Sequence, residues 1–193
     1  ARAGPLRVRM VLDVPLIETD PKIRVAIEAA AAVLAAEGHV VEEGTAPAGD
    51  IDDFLPIWQH LFAQIGIMRW RQAEPVTRWL GEAGKRLRTA DVRARQAELS
   101  ARWSPFVDGV DVLLTPTVAI PPPPIGWGQA DDGEAHFRAV ALLGAWTAPF
   151  NVTGHPALSV PVGMHPTGTP MGAQLVGPRG TEATLLAVAR TLE

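Results

Sequence analysis

Alternation of apolar and polar residues marks the first element of the chain: Leu6, Val8, Met10 and Leu12 alternate with Arg7 and Arg9, the period-two signature of a strand with one face buried. The period then changes. Ile23, Ile27, Ala30, Ala31 and Leu34 form a helical stripe that begins after Asp20 and Pro21, a capping carboxylate and a proline whose missing N–H costs nothing there, and stops at Gly38. His39 to Glu42 reads as a second short strand, so the first 42 residues predict a βαβ unit with parallel strands and a right-handed crossover. After Pro47, Phe54, Trp58, Leu61, Phe62, Ile65 and Met68 recur at helical spacing, a stripe that such residues form far more often as core than as a binding groove. From Glu74 to Lys85 no period stands out. A further helix is predicted from a Thr89 cap to about Trp103, with Arg93, Arg95, Glu98 and Arg102 on its solvated face.

Val110 to Thr115 is almost unbroken in apolar residues, as expected of a strand covered on both sides. It ends in Thr115-Pro116-Thr117 and then Pro121 to Pro124, which must be extended. That proline run reads as a rigid connector, or, less economically, as a ligand for a proline-reading module. His136 to Trp146 has helical character, and Glu182 to Leu192 reads as a last helix with Thr181 as its cap. Ala157 to Val162 and Gly172 to Val176 read as strands, and the intervening His165-Pro166-Thr167-Gly168-Thr169-Pro170 suits a hairpin loop, so the two should pair antiparallel. Just ahead of them Asn151-Val152-Thr153-Gly154-His155-Pro156 holds the residue types that bend a backbone sharply, a common way to build a pocket wall. No internal repeat interrupts this order.

Composition narrows the possibilities. The 193 residues suit one α/β unit over 1–193, with 47% hydrophobic and 20% charged residues, ordinary for a globular protein. Cysteine is absent, which excludes disulfides, thiolate nucleophiles and Cys-ligated zinc. The net charge of −4 is small and scattered, giving no footprint for nucleic acid or an anionic membrane, and no apolar run approaches the roughly 20 residues that cross a bilayer. A cytoplasmic location is the expectation. The five histidines, at 39, 60, 136, 155 and 165, show no metal-ligand spacing, and no phosphate-binding glycine motif is present, so neither metal nor cofactor is expected. Asn151-Val152-Thr153 matches the glycosylation triplet but reads better as part of the bend.

Nucleophilic chemistry finds few candidates. The serines are Ser100, Ser104 and Ser159, the lysines Lys22 and Lys85, and none sits in a Gly-Ser loop where backbone N–H groups could converge on an oxyanion. Leu158-Ser159-Val160 is a strand pattern and not a nucleophile elbow, so Ser159 reads as a small residue on a packed strand. No residue of the chain is expected to be catalytic.

The stretch from Gly144 to Gly177 resembles the carboxy-terminal part of the amidase signature family, through Thr147, Pro149, Asn151, Gly154, Pro156-Ala157, Ser159-Val160-Pro161, Gly163, Pro170, Gly172 and Gln174-Leu175-Val176-Gly177. Glu182 and Asp111-Val112-Leu113-Leu114-Thr115-Pro116-Thr117 extend the likeness. The resemblance implies an α/β fold, a mixed sheet layered by helices, from a serine hydrolase that cleaves carboxamide C–N bonds. It also implies that the reacting Ser, cis-Ser and Lys lie in a Gly-Ser-rich loop upstream of this chain. The opening Ala-Arg-Ala-Gly, without a methionine, is expected to be a cut through a longer protein, although a processed terminus would look the same. Trp146, Phe150 and Asn151 are the candidate pocket residues, two large aromatics and an amide beside the predicted bend, where ordinary core packing is the competing account of the aromatics. Gly144-Ala145 stands where glutamine-hydrolysing members are expected to carry an acidic residue, which disfavours a glutaminase-type pocket. The implied partners are a small-molecule amide substrate in the complete enzyme and the missing amino-terminal half, or self-association in its absence. The alternative is a stand-alone, non-catalytic binding module or pseudoenzyme remnant, distinguished by whether strand edges and apolar faces are covered.

Overall fold

The computed structural model describes residues 4–65 and 72–193. Among these, the strands form one five-stranded mixed sheet in the order β2-β1-β3-β5-β4, with β1 spanning Arg7–Met10, β2 Val40–Glu43, β3 Val112–Pro116, β4 Ala157–Met164 and β5 Pro170–Val176. β1 runs parallel to both β2 and β3, and β5 is antiparallel to both β3 and β4. The mixed α/β architecture that the resemblance implied is therefore present, and so are the βαβ unit and the antiparallel hairpin expected from the residue pattern.

Helix α1, Pro21–Ala36, starts where expected because the Asp20 carboxylate accepts hydrogen bonds from the backbone N–H groups of Lys22 and Ile23. It buries Ile23, Ile27, Ala31 and Leu34 against Val8, Leu114 and Leu175 of the sheet, together with Leu185 and Val188 of the final helix α7, Glu182–Leu192. Thr181 occupies the cap position of α7, but its hydroxyl donates to the Pro178 carbonyl instead of accepting from the helix. On the opposite face Leu113 and Val176 pack on α4, Thr89–Asp108, and α6, Ala148–Thr153. Arg9, on the polar side of β1, is not simply solvated: it pairs with Glu42, donates to the Phe106 carbonyl and lies over the Phe106 ring.

Three helices outside the sheet build the remaining wall: α2 Ile51–Gln64, α3 Pro75–Gly84 and α5 Gly133–Ala141. A capping box between Asp50 and Asp53 fixes the start of α2. Met68, the last member of the aromatic and aliphatic stripe, lies outside the described residues. α3, where the sequence pattern was silent, is held by close approach. A Cβ on Gly84 would sit 1.9 Å from the Gln59 carbonyl oxygen of α2, and one on Gly133 of α5 would sit 2.5 Å from the Trp79 Cβ of α3. Glycine at these two crossings lets three helices meet at backbone distance.

Two boundaries differ from expectation. α4 continues through Pro105 to Asp108, five residues past Trp103, because Trp103 and Val107 are buried against the sheet and packing outweighs the lost hydrogen bond. Arg95 and Arg102, expected on a solvated face, both reach Asp53 at the start of α2. Helix α5 ends at Ala141, and after a 3-10 turn over Leu142–Gly144 the chain enters α6, so Asn151 is helical and the sharp bend falls at Gly154, whose φ of 71° is left-handed.

Candidate functional site

A cavity of about 420 Å³ opens between α2, α3, α5 and the segment leading into α6. Ile51, Phe54, Trp58 and Phe62 of α2 form one wall, at the spacing that puts them on one helix face. Val76, Thr77 and Leu80 of α3 and Phe137, Val140 and Ala141 of α5 form the others. The floor is Gly144, Ala145, Thr147, Ala148 and Asn151, and Leu16 closes one end. Among the described residues no ionisable side chain lines this space, and Thr77, Thr147 and Asn151 supply hydroxyl and amide groups. This volume and this apolar lining with a few placed polar groups are those of small-molecule sites, which run from roughly 300 to 1,000 Å³.

The floor is anchored from below. Gln174 of β5 is buried and its side-chain amide donates to the carbonyl of Trp146 at 2.9 Å and to Thr115 Oγ1 at 3.0 Å, tying the floor to two strands. Trp79 of α3 meets the lining residue Phe137 of α5 with ring centroids 5.9 Å apart and planes tilted by 39°. At the rim Arg138 bridges Asp52 of α2 and Glu134 of its own helix. Hydrogen bonding to Asp52, and then to Glu134, raises the guanidinium pKa further above its already high ordinary value, so the guanidinium itself stays charged.

Of the three pocket candidates, Asn151 lines the cavity, with its side-chain N–H donating to the Thr147 carbonyl at 3.2 Å. Trp146 and Phe150 are 2% and 3% exposed, pack in the core beneath the floor, and are not among the lining residues. Phe150 meets Trp103 edge to face at 6.0 Å. The lining that sequence reasoning did not single out comes from α3 and α5. The stripe Phe54, Trp58, Phe62 on α2 was legible but read as core; all three line the cavity, and Phe54 and Trp58 also meet the core.

A second cavity of about 540 Å³ lies across α2 and is more polar, with His60, Gln64, Thr89, Arg93 and Gln96 beside Ile57 and Leu61. Trp58 and Asn151 line both spaces. Gln96 also holds α4 to α6 by donating to the Val152 carbonyl at 3.1 Å.

Neither cavity contains a serine or lysine. Ser159 lies on β4, where its hydroxyl and that of Thr117 are 2.6 Å apart; its partner is a second hydroxyl and not a base. Gly172 makes room for this pair, since a Cβ there would stand 2.7 Å from Ser159 Oγ. Thr153, His155 and Asp108 do form a hydroxyl–imidazole–carboxylate line, with Nδ1 2.7 Å from Thr153 Oγ1 and Nε2 3.2 Å from Asp108 Oδ1. Thr153 is 3% exposed and the His155 side chain fully buried, so the line braces the turn after α6 and offers no nucleophile to a substrate. Among the described residues no group of three or more His, Asp or Glu could hold a metal ion, and no helix is long and apolar enough to cross a membrane.

A mixed sheet layered by helices is the architecture this chain shares with solved amidase structures. Residues 1–186 match the sequence profile of the Amidase family, and the chain belongs to that family. The 6-aminohexanoate-cyclic-dimer hydrolase of Pseudomonas sp. (strain NK87) is 34% identical over 218 residues, covering 98% of this chain and 44% of that protein. The enzyme of the same name from Paenarthrobacter ureafaciens is 32% identical over 217 residues, again 98% and 44%. A solved structure of 6-aminohexanoate cyclic dimer hydrolase superposes with a TM-score of 0.84 at 28% identity, over 100% of this chain and 45% of that one. The chain thus spans less than half the length of the curated relatives it matches.

Proposed function

We propose that this chain is the substrate-binding, carboxy-terminal part of an amide hydrolase, a single α/β unit over 1–193, and that its apolar cavity receives the acyl portion of a small-molecule amide. The reacting Ser, cis-Ser and Lys then belong to residues preceding Ala1. There the serine hydroxyl attacks the carboxamide carbon, the amine departs with a proton, and water releases the acid from the acyl-enzyme. The observation that carries this reading is the pairing of a formed small-molecule cavity with the lack of any base-activated nucleophile beside it. β4 supports it: Ala157, Ser159, Pro161 and Gly163 form an exposed row on the sheet face whose neighbouring strands are covered, and β4 is an edge strand among the described residues. An uncovered edge of this kind is a natural seat for further chain. A neutral amide as substrate, a cytoplasmic setting and no nucleic-acid or membrane partner fit the modest charge and the lack of cysteine.

The test compares residues 1–193 with the complete gene product on an aryl acylamide. The complete product turns the amide over and residues 1–193 alone do not; turnover by the 193-residue chain that disappears on mutating one of its own residues overturns the proposal. The competing reading is a stand-alone binding module. Size-exclusion chromatography separates the two, because an incomplete fold self-associates through the β4 edge whereas a module elutes as a stable monomer.

A further inference from the structure

The two cavities flanking α2 are separate volumes that share Trp58 of α2 and Asn151 of α6 as lining. We propose that Trp58 is the specificity wall of the acyl site: its indole ends the space open to a neutral acyl chain and keeps that chain out of the neighbouring volume. This rests on the reading of the apolar cavity as the acyl site.

Three observations converge on Trp58. It stands one helical turn from Phe54 and one from Phe62, so it belongs to the same aromatic face that lines the apolar cavity. It also packs against the core that holds Phe54, Trp103 and Phe150, which fixes the ring from behind. Among the described residues the space on its far side changes character, from apolar lining without an ionisable side chain to lining that includes His60 and Arg93. An apolar chain end gains from burial on the near side and meets polar groups on the far side. Asn151, the other shared residue, is tied to the Thr147 carbonyl, so removing the indole alone opens a passage without loosening the floor.

The experiment uses the complete gene product and a straight-chain series of acyl anilides from acetyl to dodecanoyl. In the wild type kcat/KM rises with chain length to an optimum and then falls by about tenfold once the chain meets the wall, the scale of a methylene misfit in an apolar pocket. Trp58→Ala moves the optimum to longer chains and raises kcat/KM for dodecanoyl over butanoyl anilide by about tenfold relative to wild type. Trp58→Phe restores most of the wild-type profile. A wild-type enzyme that hydrolyses anilides, with an unchanged length profile in Trp58→Ala, overturns the wall and leaves the amidase reading intact. If no anilide is hydrolysed, the amidase reading is what fails. Competition between hexanamide and dodecanamide by saturation-transfer NMR then decides the wall, an unshifted binding ratio in Trp58→Ala overturning it. Trp58→Leu gives the same readout should the alanine variant not fold.

Discussion

Against α1 and α7 the sheet presents Val8, Leu114 and Leu175, and every member of that core is aliphatic or methionine. Against α4 and α6 it presents Leu113 and Val176, which meet Trp103, Trp146 and Phe150. Both cores join segments far apart in the chain, the first from Leu6 to Ala189 and the second from Val11 to Val176. The second also includes a buried polar link, Gln174 to the Trp146 carbonyl. The cavity sits on that side. Aliphatic packing supplies the rigid frame, while aromatic rings, glycine crossings and one buried amide shape a space, so damage to the two sides should read out differently.

Leu175→Ala, on the aliphatic side and fully buried, should produce the largest loss, about 2–5 kcal/mol of stability. Chemical denaturation of the complete gene product measures it, and the acyl-chain preference of the remaining folded enzyme should be unchanged. Gly84→Val forces apart α2 and α3, where even a methyl would lie 1.9 Å from the Gln59 carbonyl oxygen, and should cost about 1–3 kcal/mol. Unlike the leucine change it should also distort the cavity, raising KM for acyl anilides. Gln174→Leu strands the Trp146 carbonyl, while the Thr115 hydroxyl keeps its bond to the Pro116 carbonyl, with an expected loss of about 1–3 kcal/mol and a similar loosening of the cavity floor. Asp50→Ala removes the α2 cap and should cost about 1 kcal/mol, seen as a small drop in Tm. If Gly84→Val and Leu175→Ala changed substrate preference alike, the division between frame and site would be wrong.

That division also explains what the residue pattern revealed. The frame was legible: the alternation at Leu6 to Leu12, the Asp20-Pro21 start and the apolar run at Val110 to Thr115 are local signals, and each element lies where they put it, within a residue or two. The antiparallel pairing of β4 and β5 followed from the Pro- and Gly-rich loop between them. The candidate site was harder. α3 has no cap bond from Glu74 and owes its place to Gly84 and Gly133, contacts that join residues far apart in the chain and leave no period. Trp146 and Phe150 stood out by size, whereas the lining comes from smaller neighbours, Gly144, Ala145 and Ala148, that give the cavity its room. The bend was placed near Asn151 because asparagine and glycine both favour turns, and only the left-handed φ at Gly154 decides between them.

The position of β1 in the sheet has a consequence for how the protein is made. β1 pairs with β2 soon after both leave the ribosome, but its other neighbour, β3, is synthesised only after the whole of α2, α3 and α4, and β5 only later still. Loop-closure entropy makes such remote pairings slow. Among the described residues, then, the edge of β1 that faces β3 has no strand to pair with until Val112 and the residues after it have been made.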